Sequence, residues 1–254
     1  MSLRLSGGRT LLSPPGHGAR PTPARVREAV MNMLCRDLPD ATWLDLFSGS
    51  GAMGCEALQR GAAVVVAVDK DRRHAAISRS NLEAVAGVTA ATRWTPERTT
   101  VSDPCLTESP LTSPSLTVPK LTVICQEVIG WLKREQAGTG FDLIYADPPY
   151  QAGLYPAIAA ALLDGTWLAP GGTLIWECAS NARPELPAGW RCRDERRYGS
   201  TTIQLLEVNR PVSAAEGTAA AVLVPGSHEQ PHQGHGDQTQ HDAAEQGFDH
   251  GETP

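Results

Sequence analysis

The sequence predicts an α/β fold: a doubly wound, mostly parallel sheet covered by helices. Three observations carry that expectation. From Thr42 onward, short β-branched or apolar runs alternate with longer segments of helical period. The first run ends in a glycine turn, Ser48 to Gly51, that opens a helix. The fourth run ends in Asp147-Pro148-Pro149-Tyr150, where two consecutive prolines stop a strand.

The elements follow in order. Pro23 to Cys35 reads as a helix, with Pro23 near its first turn and Thr22 as its cap. Thr42 to Phe47 is the first strand and Ala52 to Arg60 its helix, stopped by Gly61. Val64 to Asp69 is the second strand, followed by a helix over Asp71 to Val85. Leu121 to Cys125 is the third strand, with a helix near Glu127 to Gln136, and Phe141 to Ala146 is the fourth. Leu154 to Leu163 is helical. Thr173 to Glu177 is the fifth strand, after a turn at Pro170-Gly171-Gly172, and Arg191 to Arg197 with Thr201 to Val208 form a closing hairpin around Gly199.

Two segments break the pattern. Thr92 to Lys120 is rich in Thr, Ser and Pro with little periodicity and reads as a surface insertion. Residues 211 to 254 are rich in Gly, His, Gln and acids, with almost no large apolar side chains, and are expected to be disordered. The division is thus an N-terminal extension with a basic helix (1–40), a catalytic domain (41–210, insertion at 92–120) and a tail (211–254). The tail's five histidines are irregularly spaced, which gives no preorganised metal site. The six cysteines form no Cys-x-x-Cys pair, so no metal centre or disulfide framework is expected.

The net charge of -6 belongs to the tail, whose seven acids face no Lys or Arg; without them residues 1 to 210 carry +1. Arg4, Arg9, Arg20, Arg25 and Arg27 form an N-terminal basic cluster, read either as phosphate contacts or as a solvated helix face. No apolar run is long enough to span a bilayer and the N-terminus lacks the apolar core of a signal peptide, so the expectation is a cytoplasmic protein without membrane contact.

Asp45-Leu-Phe-Ser-Gly49-Ser-Gly51-Ala-Met-Gly54 lies between a strand and a helix. Gly49 and Gly51 let the backbone turn tightly and approach a nucleotide-like ligand, and Gly54 lets the helix pack closely. The same letters spell Gly-x-Gly-x-x-Gly, with Asp69 at the end of the second strand where a ribose-binding acid belongs, so this motif alone fits either NAD or S-adenosylmethionine. Asp45 favours the methyl donor: an acid at the end of the first strand attracts the amino group of a methionine moiety and repels a pyrophosphate. Its alternative role is to cap a turn or helix.

Asp147-Pro148-Pro149-Tyr150 is the more specific motif. The lone pair of an exocyclic base amine is delocalised into the ring. A carboxylate at Asp147 and the Pro148 carbonyl, each accepting one N-H, would favour a pyramidal nitrogen whose lone pair faces an electrophilic methyl group. Tyr150 would stack on the base. Such a base must be looped, single-stranded or flipped out.

With these motifs the chain resembles the bacterial 16S ribosomal RNA guanine-N2 methyltransferase family known as RsmD, over about residues 3 to 208. The resemblance rests on Arg20-Pro21-Thr22-Pro-Ala-Arg25-Val26-Arg27-Glu28-Ala-Val-Met-Asn32, Leu44 to Gly51, Glu56-Ala57-Leu58-x-Arg60-Gly61-Ala62 and Asp147 to Tyr150. It implies a Rossmann-like class I methyltransferase with a seven-stranded sheet and a short N-terminal extension. It further implies S-adenosylmethionine as donor, 16S ribosomal RNA or small-subunit particles as partner, and one methyl transferred to guanine N2. Asp45, Gly49, Gly51 and Asp69 would line the donor site, with Glu127 near the adenine; Asp147, Pro148 and Tyr150 would handle the guanine. Nothing in the sequence calls for more than a monomer. The chain departs from the family at Ala24, where an acid is usual, and in its insertion and acidic tail.

Three alternatives stay open on the sequence: a DNA adenine-N6 methyltransferase using the same Asp-Pro-Pro-Tyr geometry, an NAD-dependent oxidoreductase, and a non-catalytic RNA-binding assembly factor on a methyltransferase fold.

Overall fold

A computed structural model describes residues 3–14, 22–91, 119–135, 138–149 and 153–209. The N-terminal residues form a small antiparallel pair, β1 (Leu3–Arg4) and β2 (Thr10–Leu11), followed by α1 (Ala24–Met33). Then come β3 (Thr42–Leu46), α2 (Ala52–Gln59), β4 (Val64–Asp69), α3 (Arg72–Ala91), β5 (Lys120–Cys125), α4 (Val128–Arg134) and β6 (Phe141–Ala146). The chain continues through α5 (Tyr155–Asp164), β7 (Leu168–Ala179), β8 (Trp190–Tyr198) and β9 (Thr201–Val208).

The sheet has seven strands in the order β5-β4-β3-β6-β7-β9-β8. Its first five are parallel, and β9 pairs antiparallel with both β7 and β8. From β3 the chain moves outward to β4 and β5, then returns to β6 on the other side of β3. The winding therefore reverses between β3 and β6, which opens a crevice at the carboxyl ends of those two strands.

Strand alternation divides the core. Trp43, Leu143, Tyr145, Ile175 and Ile203 project to the face covered by α1, α2 and α3, where Val30, Met31, Leu58 and Leu82 meet them. Leu44, Leu46, Ile144, Leu174 and Trp176 project to the other face, against Leu132 of α4 and Ile158 and Leu162 of α5. Both faces are covered, which is why the central strands read as nearly continuous apolar runs.

The seven-stranded, mostly parallel sheet agrees with the expected fold. Some boundaries do not. Thr22 does not cap α1: the cap position is Pro23, which has no side-chain hydrogen bond to give. The helix expected to stop at Val85 runs to Ala91. The turn expected at Pro170-Gly171-Gly172 lies inside β7, whose pairing with β6 jumps from Phe141–Leu168 to Leu143–Thr173, so the extra residues bulge while the strand continues. Lys120, placed in the insertion, begins β5. The rest of the insertion up to residue 118, and the tail 211–254, lie outside the described residues.

Arg27 is also corrected. It is neither a phosphate contact nor a solvated residue: it is 2% exposed and pairs, Nε to Oε1 at 3.4 Å, with the fully buried Glu56 of α2. Glu56 also accepts from Arg60 at 2.8 Å and from the amide and hydroxyl of Ser6 at 3.1 and 2.9 Å. Arg27 in turn donates to the carbonyls of Thr22 and Arg4. A second clamp, Asn81 of α3, exchanges hydrogen bonds with the backbone of Leu12 and donates to Ser50 O. These bonds join the short N-terminal segments, too small to bury much surface alone, to α2 and α3.

Removing one partner from a buried, multiply bonded pair strands the other. Glu56→Gln is therefore expected to cost about 3 kcal/mol of unfolding free energy in urea titration. Arg191→Ala, which breaks an exposed pair with Glu207, should cost less than about 1 kcal/mol.

Candidate active site

The crevice between β3 and β6 gathers acids from neighbouring strands. Asp45 pairs in register with Tyr145, and Tyr145 with Ile175, so the residues two further along β6 and β7, Asp147 and Glu177, come side by side. Period two puts Asp45, Tyr145 and Glu177 on the α1–α3 face.

Asp45 is 1% exposed and its Oδ2 accepts the amide of Gly54, in the first turn of α2, at 3.1 Å. Burial pushes its carboxyl up to about 7; the Gly54 amide opposes this and the negative charge of Asp69 adds to it. Gly51 adopts φ +74°, and a Cβ there would lie 2.5 Å from Ser78 Oγ of α3. A Cβ on Gly54 would lie 2.9 Å from Val65. The ligand approach expected of both Gly49 and Gly51 thus divides differently: Gly51 and Gly54 serve close packing of the turn and helix, while a Cβ on Gly49 would meet nothing nearer than 4.0 Å. Above the turn, Ser48 Oγ and Ser78 Oγ are buried with no hydrogen-bond partner among the described residues.

Asp69 closes the turn. Its Oδ2 accepts the Gly49 amide and its Oδ1 the Asp71 amide, each at 2.8 Å, and His74 Nδ1 lies 3.5 Å from Oδ2. Two of the carboxylate's lone-pair positions are thereby taken and others are left for hydroxyl donors. Glu127 is exposed and caps α4, accepting the amides of Ile129 and Gly130 at 3.0 and 2.6 Å. It stands at the carboxyl end of β5, at the outer side of the same crevice.

Asp147 follows β6 directly, and Pro148 behind it is buried. Burial drives the Asp147 carboxyl well above the ordinary carboxylate range; Glu177 and then Asp45 push it further, and a hydrogen bond from Thr22 opposes them. Tyr145 donates its phenol to Glu177, stacks on Trp43 at 6.1 Å, and lies with Oη 3.4 Å from Thr22 Oγ1. Its own ionisation is pushed up by burial, then by Glu177 and Asp147. Tyr150 lies outside the described residues.

Asp45, Gly49, Gly51, Asp69 and Asp147 thus converge as expected, and Glu127 sits at the margin. Sequence reasoning missed Glu177, Tyr145 and Thr22. An acid two residues beyond Ile175, on the inward phase of an apolar strand, was the available signal for Glu177. A cavity lined by Asp37, Asp40, Asp142 and Arg193 lies at the opposite ends of the strands; there Asp142 holds the Thr42 amide and hydroxyl, each at 2.8 Å, and takes no part in this site.

The site fits a cationic donor: it offers a buried carboxyl, two unpartnered hydroxyls and an open glycine, with no basic side chain among the groups named above. Among the described residues no group of His, Cys, Asp and Glu is arranged to hold a metal ion, and no helix is long and apolar enough to cross a membrane.

Comparison with known proteins gives the same picture. The family model described as conserved hypothetical protein 95 matches residues 5–106 and 113–207. The ribosomal RNA small subunit methyltransferase D of Escherichia coli K12 is 30% identical over 201 residues, covering 79% of this chain and 85% of that protein. Its namesake from Haemophilus influenzae is 26% identical, covering 79% and 89%. The solved structure of the Escherichia coli protein yhhF is 27% identical with a TM-score of 0.61, covering 82% of this chain and 98% of that one. The chain belongs to the conserved hypothetical protein 95 family, the RsmD family of class I methyltransferases.

Proposed function

We propose that the protein transfers a methyl group from S-adenosylmethionine to the exocyclic N2 amine of a guanine in 16S ribosomal RNA, acting on small-subunit particles. The observation that carries this reading is the meeting of Asp45 and Asp147 across the β3–β6 crevice: a carboxylate suited to the donor's ammonium beside one suited to an amine. The relatives' name, ribosomal RNA small subunit methyltransferase D, supports the substrate class.

The donor supplies an electrophilic methyl on a sulfonium. Asp45 would take its ammonium, Asp69 its ribose hydroxyls, the Gly49 to Gly51 backbone its flank, and Glu127 would stand near its adenine. On the acceptor side the ionised Asp147 carboxylate accepts one N-H of the amine and the Pro148 carbonyl the other, turning the nitrogen lone pair out of conjugation. Tyr150 stacks on the base and holds its orientation. As the N-C bond forms, the amine loses one proton, which Asp147 receives before passing it to solvent.

Three outcomes test this. Nucleoside mass spectrometry of small-subunit particles lacking the modification, incubated with enzyme and donor, should show N2-methylguanosine; N6-methyladenosine or no product would refute the assignment. Asp147→Ala should lower turnover by on the order of 10²–10³ while calorimetry finds donor binding largely unchanged. Because the Asp45 carboxyl is raised to about 7 and only its ionised form attracts an ammonium, donor affinity should rise between about pH 6 and about pH 7.5, with proton release on binding. Asp45→Asn should weaken binding and flatten that dependence.

A further inference from the structure

Thr22 has no part in the reaction as described above, yet the fold brings it to the acceptor acid. It directly precedes Pro23, the cap position of α1, but its side chain does not turn back on that helix. Its hydroxyl hydrogen-bonds the Asp147 carboxylate and lies 3.4 Å from Tyr145 Oη. One hydroxyl has one proton to give. The contact with Tyr145 is long, and the phenol already donates to Glu177, so the ionised carboxylate is the stronger acceptor.

The main chain at Thr22 is held as firmly as a loop residue can be. Arg27 Nη1 donates to Thr22 O at 2.7 Å, its Nη2 donates to Arg4 O, and its Nε faces Glu56 at 3.4 Å. Both members of that ion pair are buried. A planar guanidinium bound at every edge leaves the carbonyl it holds little freedom, and so fixes where the Thr22 hydroxyl points.

We propose that Thr22 is a positioning residue for methyl transfer: held in place by the Arg27–Glu56 pair, its hydroxyl donates to Asp147 and orients the carboxylate that accepts the amine proton. This rests on the reading of Asp147 given above. The groups facing Asp147 are Glu177 from β7, Asp45 from β3 and Tyr145 from β6. Glu177 and Asp45 favour the protonated acid and Thr22 favours the anion. Losing the hydroxyl should leave Asp147 protonated to higher pH, with its oxygens free to rotate.

The test is a pH profile of single-turnover methyl transfer to small-subunit particles, with saturating donor and RNA, for the parent, Thr22→Val, Thr22→Ala, Thr22→Ser and Asp147→Asn. Thr22→Val and Thr22→Ala are expected to slow turnover about ten- to a hundredfold near neutral pH, the loss of one charge-assisted hydrogen bond. Their acid limb should move to higher pH, while KM for RNA and donor affinity stay near the parent values. Thr22→Ser should restore both rate and limb. An unmoved acid limb in the Val and Ala variants, or a Ser variant as slow as they are, overturns the proposal, since a merely structural role would give that result. The two readings separate: a fully active Asp147→Asn removes the assignment of Asp147, whereas an inactive Asp147→Asn beside an unshifted Thr22→Ala removes only Thr22.

Discussion

Like charges on adjacent strands are what the rest of this site has to accommodate. The parallel register of β3, β6 and β7 brings Asp45, Asp147 and Glu177 into one crevice, and burial makes each negative charge costly there. The surrounding groups are arranged to offset that cost. The Gly54 amide at the start of α2 holds Asp45, the Tyr145 phenol holds Glu177, and the Thr22 hydroxyl holds Asp147. Each is a neutral donor, so together they ease the repulsion without cancelling it. A ligand bearing positive charge would complete the compensation, and the neutral product left after methyl loss would do so less well. Binding of a cation and ionisation of the acids are then coupled, each promoting the other.

The N-terminal extension completes this arrangement. Its strands β1 and β2 are only two residues each, and isolated pairs of that length have little stability. Glu56 substitutes for a larger interface by gathering Ser6, Arg27 and Arg60 around one carboxylate inside the core. α2 follows the glycine turn, so the helix that shapes the donor side also carries the acid that secures the extension, and the extension delivers Thr22 to the acceptor side. A disturbance at Glu56 should therefore be felt in both halves of the site.

Much of the fold was legible because both periodicities are strong. β4 and β6 begin and end where the apolar runs do, and the hairpin of β8 and β9 turns at Gly199 as its glycine suggested. The glycine turn and the acid after β6 could be read as a pair because each sits at a strand's carboxyl end. The remaining features depend on partners distant in sequence. Arg27 looked like one of five basic residues until Glu56, 29 positions away, was seen to bury it. Tyr145 and Glu177 are 32 positions apart and read as ordinary strand residues until the β6–β7 register joined them. The bulge at Pro170 to Gly172 was mistaken for a turn because Pro-Gly-Gly has the same local chemistry in both settings, and only pairing across to β6 distinguishes them.

The pairing of Asp45 with α2 also decides a question the glycine spacing left open. In a dinucleotide fold the amides of the first helical turn after Gly-x-Gly-x-x-Gly point at a pyrophosphate. Here the third of those amides, Gly54 N, is taken by Asp45 Oδ2 at 3.1 Å, while Cys55 N bonds back to Gly51 O at 2.9 Å. The fold has filled its own anion site with a carboxylate. A phosphate approaching this turn would meet a like charge where it needs donors, whereas an ammonium would meet the acceptor it needs. The same three glycines therefore serve opposite ligand charges, and the residue that selects between them is the acid at the end of β3.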